Sequence, residues 1–243
     1  MRFLHLDSID STNAEAIRQA ENGVIGPIWI TSEIQTKGRG RRGRDWVSQT
    51  GNLFCTGLYP CEGDLQSASK LSFVAALALA QTLETFIDPR LIKIKWPNDV
   101  LVDGKKIAGI LLEITEHNSK LWIAIGVGIN IISCPNFDEY EVTYLLDHIN
   151  ADELDSFKGS KSIIKILAQQ FDCWRQQYLE QGFKPVREAW LERAQGIGES
   201  VKVNLPDKSF MGTALGLSDD GALEVRIDDQ KIVKIHAGDV FFS

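Results

Sequence analysis

The stretch Gln35-Thr36-Lys37-Gly38-Arg39-Gly40-Arg41-Arg42-Gly43-Arg44-Asp45-Trp46-Val47-Ser48 puts five cationic side chains into eight residues, with three glycines among them. Arginine offers planar, permanently charged forks that suit phosphate and carboxylate, and glycine lets backbone amides turn toward an anion. Such a stretch could gather negative charge, and Trp46 adds a flat apolar face at its end. Two readings of these residues stand side by side. One is a solvated charge run or an RNA-binding arm; the other is an ordered functional loop within a domain. The flanking apolar runs Ile28-Trp29-Ile30 and Leu53 to Leu58 favour the loop, because a disordered arm belongs at a terminus and not between two strands of one core.

Other residues could also do chemistry. Ser11, Thr12 and Asn13 either cap a helix or present a rigid set of hydrogen-bond partners to a small polar ligand, and Thr12 with Glu15 has the spacing of a capping box. Asn98 and Asp99 follow Pro97 at a strand end, where they either bind a divalent cation carried on phosphates or close an Asx turn. Lys105 and Lys106 follow the hairpin signal Asp103-Gly104. They are either a solvated pair or cations at the mouth of a cavity. Gly109, inside the next apolar run, suggests close backbone approach. Gly126-Val127-Gly128-Ile129-Asn130 lacks the third glycine and the following helix of a dinucleotide fingerprint. Its alternate glycines would instead leave one strand face open as a ligand floor.

The elements that must position these groups are read from periodicity. Short strands are expected at Phe3–Leu6, Ile28–Glu33 and Leu53–Tyr59, with a helix from Thr12 to about Glu21 between the first two. A helix capped by Ser67 or Ser69 and running to about Phe86 is apolar on most faces, so it should be buried against a sheet. Ile92 and Ile94 alternate with Lys93 and Lys95 as in a half-buried strand. Val100–Val102, Ile107–Glu113 and Leu121–Ile125 follow as paired strands. Helices are expected over about Glu141–Ile149, Ser160–Leu179 and Pro185–Arg193. From Gly196 the pattern changes to short strands separated by turns, with Asp219-Asp220-Gly221 and Asp228-Asp229-Gln230 as connections. The reading is one domain over 1–195 and a small β-domain over 196–243.

The chain has 243 residues, 44% of them apolar, and a net charge of −7. That charge argues against a protein that coats nucleic acid by general electrostatics, so the basic loop must act locally. The four cysteines and four histidines show no metal-ligand spacing and no disulfide framework. There is no signal-peptide pattern. The longest apolar run, Leu71 to Ala80 with Ser72 inside it, is too short to span a bilayer. A soluble, reduced, cytoplasmic protein is expected.

In order and spacing, Ser11-Thr12-Asn13, the Gln35–Trp46 loop, Lys95-Trp96-Pro97-Asn98-Asp99 with Lys106-Ile107-Ala108-Gly109, and Gly126 to Asn130 closely resemble the biotin protein ligases over nearly the whole chain. The resemblance implies an α+β fold: a mixed β-sheet flanked by helices, related to class II aminoacyl-tRNA synthetases and lipoate ligases, plus a small C-terminal SH3-like β-barrel. It also implies two steps. Biotin and MgATP give biotinyl-5′-AMP and pyrophosphate, and a lysine of a biotin carboxyl carrier domain then takes the biotinyl group.

By resemblance, Lys106 and Arg41 are catalytic. Ser11, Thr12, Gln35, Gly38, Arg39, Arg41, Lys106 and Gly109 bind biotin. Arg41, Arg44, Trp46, Asn98, Lys106 and Asn130 bind ATP, and Asp99 serves Mg2+ on the phosphates. The implied partner is the biotin carboxyl carrier protein of acetyl-CoA carboxylase, with a monomer or homodimer, no membrane and no DNA. Many bacterial relatives carry an N-terminal winged helix-turn-helix; with the Ser-Thr-Asn motif starting at Ser11, none is expected here. The family's Ala-Thr-Ser-Leu-like element is matched only weakly by Glu141-Val142-Thr143-Tyr144-Leu145. Two alternatives are weighed: a lipoate-type acyl ligase, disfavoured by the arginine loop, and a nucleic-acid-binding module, disfavoured by the acidic charge.

Overall fold

A computed structural model describes every residue except 25, 138–139, 150–153, 155–156, 228–230 and 243. Arg2–Ile9 (β1), Ile28–Gln35 (β2), Leu53–Pro60 (β3), Ile92–Lys95 (β4), Asp99–Val102 (β5), Lys105–His117 (β6) and Lys120–Ile129 (β7) form a seven-stranded sheet in the order β1-β2-β3-β7-β6-β5-β4. β1 and β2 pair in parallel and every other pair is antiparallel, so the sheet is mixed, as expected. The helices are α1 (Thr12–Glu21), α2 (Leu65–Ser69), α3 (Leu71–Leu83), α4 (Ser160–Gln181) and α5 (Phe183–Glu192).

Side chains on a strand alternate between faces, and β7 shows what that does here. Ile123, Ile125, Val127 and Ile129 point into the main core, together with α3, Phe171 of α4 and Trp190 of α5. Trp122 and Ala124 point the other way, into a smaller cluster with Ala16 and Ala20 of α1. Gly126 and Gly128 continue that second face but carry no side chain. α3 is buried on nearly every side and has no polar stripe, which matches its alanine-rich, apolar sequence.

Several expectations are corrected. The Thr12–Glu15 capping box does not form. Ser11 is the N-cap residue of α1 and makes no side-chain cap, while the Thr12 hydroxyl lies 3.1 Å from Gln35 Oε1 and Glu15 pairs with Arg18 at 2.8 Å. The long helix after Ser67 is two helices, and its cap is Asp64, whose carboxylate accepts from the Ser67 amide at 2.8 Å. The helix expected over Glu141–Ile149 is only a 3-10 turn at Leu145–Asp147. Before that turn the backbone runs extended beside β6: the Lys106 amide donates to the Glu141 carbonyl, and the Thr143 amide donates to the Lys106 carbonyl. Tertiary pairing there overrides a weak helix signal. The Asp228–Gln230 turn lies outside the described residues.

Ser200–Asn204 (β8), Ser209–Leu217 (β9), Leu223–Arg226 (β10), Ile232–Ile235 (β11) and Asp239–Phe242 (β12) form a second, antiparallel sheet ordered β11-β10-β9-β8-β12. Among the described residues no ladder joins β11 to β12, so the expected barrel is open along that edge. Val201, Val203, Leu217, Val225 and Val240 join the main core, and Trp96 donates its indole N–H to the Gly221 carbonyl at 3.3 Å.

The core is continuous, so a cavity in it should be costly. Leu77 of α3 is fully buried. Leu77→Ala is expected to lower unfolding free energy by about 2–5 kcal/mol, read as a fall in the urea midpoint at unchanged slope.

Candidate active site

Antiparallel partners share a face, so the registers lay out a floor. One row crosses the sheet as Phe54, Gly128, Gly109, Asp99 and Lys95. The next runs Thr56, Gly126 and Leu111, and a third runs Leu58, Ala124 and Glu113. The three glycines open a depression in this face. A Cβ built on Gly128 would lie 2.4 Å from the Trp46 ring, and one on Gly126 would lie 2.3 Å from the Asn13 side chain. Above the floor is a cavity of about 200 Å3. The alternate glycines thus do what their spacing suggested.

The basic loop is ordered over this floor. Its base closes where the Trp46 amide donates to the Gly38 carbonyl at 3.0 Å and the Gly40 amide to the Arg44 carbonyl at 2.7 Å. A 3-10 turn at Arg41–Gly43 forms its tip, with Arg42 at φ 56°. The arginines then diverge. Arg39 pairs with Glu113 at 3.1 Å and Arg41 donates to Asn98 Oδ1 at 3.3 Å. Arg42 and Arg44 meet Asp239 of the second sheet at 3.2 and 2.7 Å. Trp46 lies against Gly109 and Gly128, and its buried indole N–H has no hydrogen-bond partner among the described residues.

The cations face one space. Lys106 Nζ is 2.7 Å from Asp99 Oδ1 and lies 5.6 Å from the Trp46 ring and 5.5 Å from the Tyr140 ring. Lys95 sits 5.3 Å from the Phe241 ring, and burial pushes its ammonium pKa down. Burial also lowers that of Arg41, aided by the neighbouring Arg42 charge. Both shifts have the same leading cause: a cationic group drawn out of water holds its proton less firmly.

The opposite end of the cavity carries neutral polar side chains, with the Arg39–Glu113 pair at its rim. The Thr12 amide and hydroxyl approach Gln35 Oε1 at 2.8 and 3.1 Å. Thr56 Oγ1 lies 2.8 Å from Thr12 Oγ1 and 2.6 Å from Asn13 Oδ1. A polar wall on one side and a cationic clamp on the other suit a ligand with a hydrogen-bonding head and an anionic tail.

Of the expected site residues, Ser11, Thr12, Gln35, Arg39, Arg41, Arg44, Trp46, Asn98, Asp99, Lys106 and Gly109 line this cavity. Gly38 and Asn130 do not. Gly38 serves the base of the loop. A Cβ there would meet the Trp46 carbonyl at 2.5 Å. Asn130 is buried, its amide group donating to the Thr143 carbonyl at 3.1 Å, so it fastens the strand end to the extended passage over Lys106. Asn13, Lys95, Tyr140 and Asp239 line the cavity although they were not assigned to it. Asn13 and Lys95 were within reach, being parts of the quoted motifs. Tyr140 and Asp239 carry no local signal and arrive through long-range packing.

The chain matches the Biotin/lipoate A/B protein ligase family over residues 6–130 and the Biotin protein ligase C terminal domain over residues 196–243. It belongs to the biotin/lipoate A/B protein ligase family. Among its relatives, a biotin–[acetyl-CoA-carboxylase] ligase of Paracoccus denitrificans is 38% identical, over 96% of this chain and 98% of the relative. The bifunctional ligase/repressor BirA of Bacillus subtilis is 31% identical over 98% of this chain and 73% of its own. Among solved structures, the biotin protein ligase from Aquifex aeolicus in complex with biotin and ATP superposes with a TM-score of 0.80 at 26% identity, covering 100% of this chain and 99% of that one. The two-sheet architecture is therefore that of a biotin protein ligase.

Trp46 ties the loop to the floor through Gly128. Gly128→Ala must push the indole away, losing contacts worth about 1 kcal/mol and raising the open-loop population about fivefold. Trypsin is expected to cut between Arg39 and Arg44 correspondingly faster in the variant. Equal cutting rates would show that Trp46 does not hold the loop.

Proposed function

We infer that this chain is an ATP-dependent biotin protein ligase that activates biotin as biotinyl-5′-AMP and passes the biotinyl group to a lysine of the carrier protein of acetyl-CoA carboxylase. The observation that carries the reading is the convergence of Arg41, Arg44, Lys95 and Lys106 on one end of a cavity whose other end is an uncharged hydrogen-bonding wall. The name of the Paracoccus denitrificans relative supports the substrate and the carboxylase partner. The arginine loop and those relatives favour biotin over a lipoyl substrate.

In the first step the biotin carboxylate oxygen attacks the α-phosphorus. A C–O–P linkage forms, the bond to the β-phosphate breaks and pyrophosphate leaves. Two anions must approach, so the barrier is electrostatic and preorganised cations lower it. Lys106 would face the carboxylate and α-phosphate, Arg41 would bridge them, and Arg44 would face the leaving phosphates. Trp46 would cover the adenine. Ser11, Thr12, Gln35 and the backbone at Gly109 would hold the ureido ring. In the second step the carrier's lysine amine attacks the acyl carbon, an amide forms and AMP departs.

Mg2+ fits as an ion carried on the nucleotide. No group of three or more His, Cys, Asp or Glu side chains gathers to hold a metal among the described residues, and Asp99 is already paired with Lys106. Mg2+ commonly keeps its waters and binds through phosphates with one or two carboxylates. It would neutralise phosphate charge, with Asp99 and Asn98 nearest to it.

The division into a catalytic unit over 1–195 and a C-terminal unit over 196–243 is part of this proposal. No described helix is long and apolar enough to cross a membrane, and the proposed location is the cytoplasm.

The test is transfer of labelled biotin to a carrier domain, dependent on ATP. The wild type should label one lysine. Lys106→Ala should lose about 3 kcal/mol of transition-state stabilisation, roughly a hundredfold in biotin-dependent pyrophosphate exchange, with its thermal midpoint kept. Transfer of lipoate in place of biotin would overturn the substrate assignment.

A further inference from the structure

Glu113 has no part in the chemistry above, yet its carboxylate sits at the edge of the cavity floor, in register with Ala124 and on the same face as Gly109 and Leu111. It accepts from Asn13 Nδ2 at 2.7 Å and pairs with Arg39 at 3.1 Å. We propose that Glu113 is a positioning residue: it sets the direction of a hydrogen-bond chain through Asn13, Thr56 and Thr12, and so leaves Thr12 Oγ1 and Gln35 Oε1 free to accept from a ligand N–H.

The direction follows from counting protons. A carboxylate only accepts, so the Asn13 amide must turn its nitrogen to Glu113, and the Leu111 carbonyl at 3.3 Å takes the same side. Asn13 Oδ1 then faces Thr56 Oγ1 at 2.6 Å, and the proton between them can come only from Thr56. The Thr56 and Thr12 hydroxyls are 2.8 Å apart, and with the Thr56 proton committed, the Thr12 proton serves this contact in preference to the longer one to Gln35 Oε1 at 3.1 Å. Two protons serve three oxygen–oxygen contacts, and the longest, Thr12 Oγ1 to Gln35 Oε1 at 3.1 Å, has none. Gln35 Oε1 is held in place by the Thr12 amide at 2.8 Å, while Gln35 Nε2 is directed to Ser48 at 3.2 Å. Two acceptor oxygens are thus left side by side on the cavity wall, short of one donor. Thr56 is fully buried and Asn13 nearly so, so water does not rescue a chain pointing the wrong way. Arg39 balances the Glu113 charge at the rim.

This inference rests on the ligase reading, in which the cyclic urea of biotin supplies the N–H. A glutamine at 113 could donate as well as accept. Only the longer contact to the Leu111 carbonyl, 3.3 Å, would then hold the Asn13 nitrogen; in the molecules where Asn13 turns over, Thr56 would donate to Thr12 and Thr12 to Gln35, and the acceptor pair would be satisfied from within.

The experiment is pyrophosphate exchange by wild type and Glu113→Gln, using biotin and two carbamate analogues in which one or the other ring N–H is replaced by oxygen. Wild-type exchange with biotin reports on the ligase reading; the ratio of variant to wild type reports on Glu113. For Glu113→Gln, KM for biotin should rise about tenfold, the size of one lost hydrogen bond to a buried acceptor, with kcat at saturation largely kept. Preference for biotin over one carbamate should fall by a similar factor. Thr56→Val, which interrupts the chain at its middle, should lose the same preference, and combining the two changes should add little. Unchanged KM and preference in Glu113→Gln would overturn the proposal. So would an equal rise in KM for all three ligands, which would make Glu113 a structural support.

Discussion

Like charges do not gather without a reason, and the constraint on this molecule is the crowding of cations around one cavity. Arg41 and Lys95 are both partly withdrawn from water, and each feels other basic groups of the site. Such an arrangement stores unfavourable energy unless it is partly neutralised. The protein neutralises it piecemeal: Asp99 meets Lys106, Asp239 meets Arg42 and Arg44, and the Asn98 amide oxygen meets Arg41. None of these partners matches the charge of a carboxylate and a phosphate together. The site is therefore incomplete in a defined sense, and its best occupant is an anion.

The fold is arranged to make that crowding tolerable. The seven-stranded sheet supplies a rigid base, with its apolar face fixed by α3 and the helices packed on it. The opposite face is thinned at Gly109, Gly126 and Gly128, which lets Trp46 and Asn13 sit where side chains would otherwise stand. The charged loop then needs little structure of its own. It closes on itself at Gly38 and Trp46 and reaches a carboxylate of the second sheet, so the C-terminal strands complete the wall of the cavity as well as the core. Placing catalytic loops on a rigid scaffold is a general solution.

Much of this was legible in the sequence, and the failures have physical causes. The loop and the floor glycines are readable because each breaks a local rule, charge inside a domain and glycine inside a strand, whereas Lys106 reads equally as a solvated turn lysine and is singled out by the family resemblance. The mixed sheet followed from alternation in segments such as Ile92–Lys95. The capping box at Thr12, one of the two readings its spacing allows, does not form: the sequence shows its neighbours along the chain and not Gln35 and Thr56, which meet it through the sheet. Lys95 was read as the polar half of a strand, and only the fold shows that its outward face meets Phe241. Asp239 gave no signal at all, since its partners Arg42 and Arg44 lie some two hundred positions earlier in the chain. Asn130 was assigned to the nucleotide on resemblance, and its bond to Thr143 gives it a structural task.

The central claim is that the site is a charge trap waiting for the carboxyl–phosphate junction of the adenylate. The direct measurement is calorimetric binding of two stable analogues of biotinyl-AMP, one with an ionised phosphodiester link and one with an uncharged link of the same length. Charge-assisted hydrogen bonds to a desolvated anion are worth about 1.5–3 kcal/mol, so the ionised analogue should bind roughly tenfold to a hundredfold more tightly. Part of that advantage should persist at raised salt, because Lys106, Arg41 and Lys95 are partly shielded from solvent while Arg44 is exposed. Equal affinity for the two analogues would contradict the account.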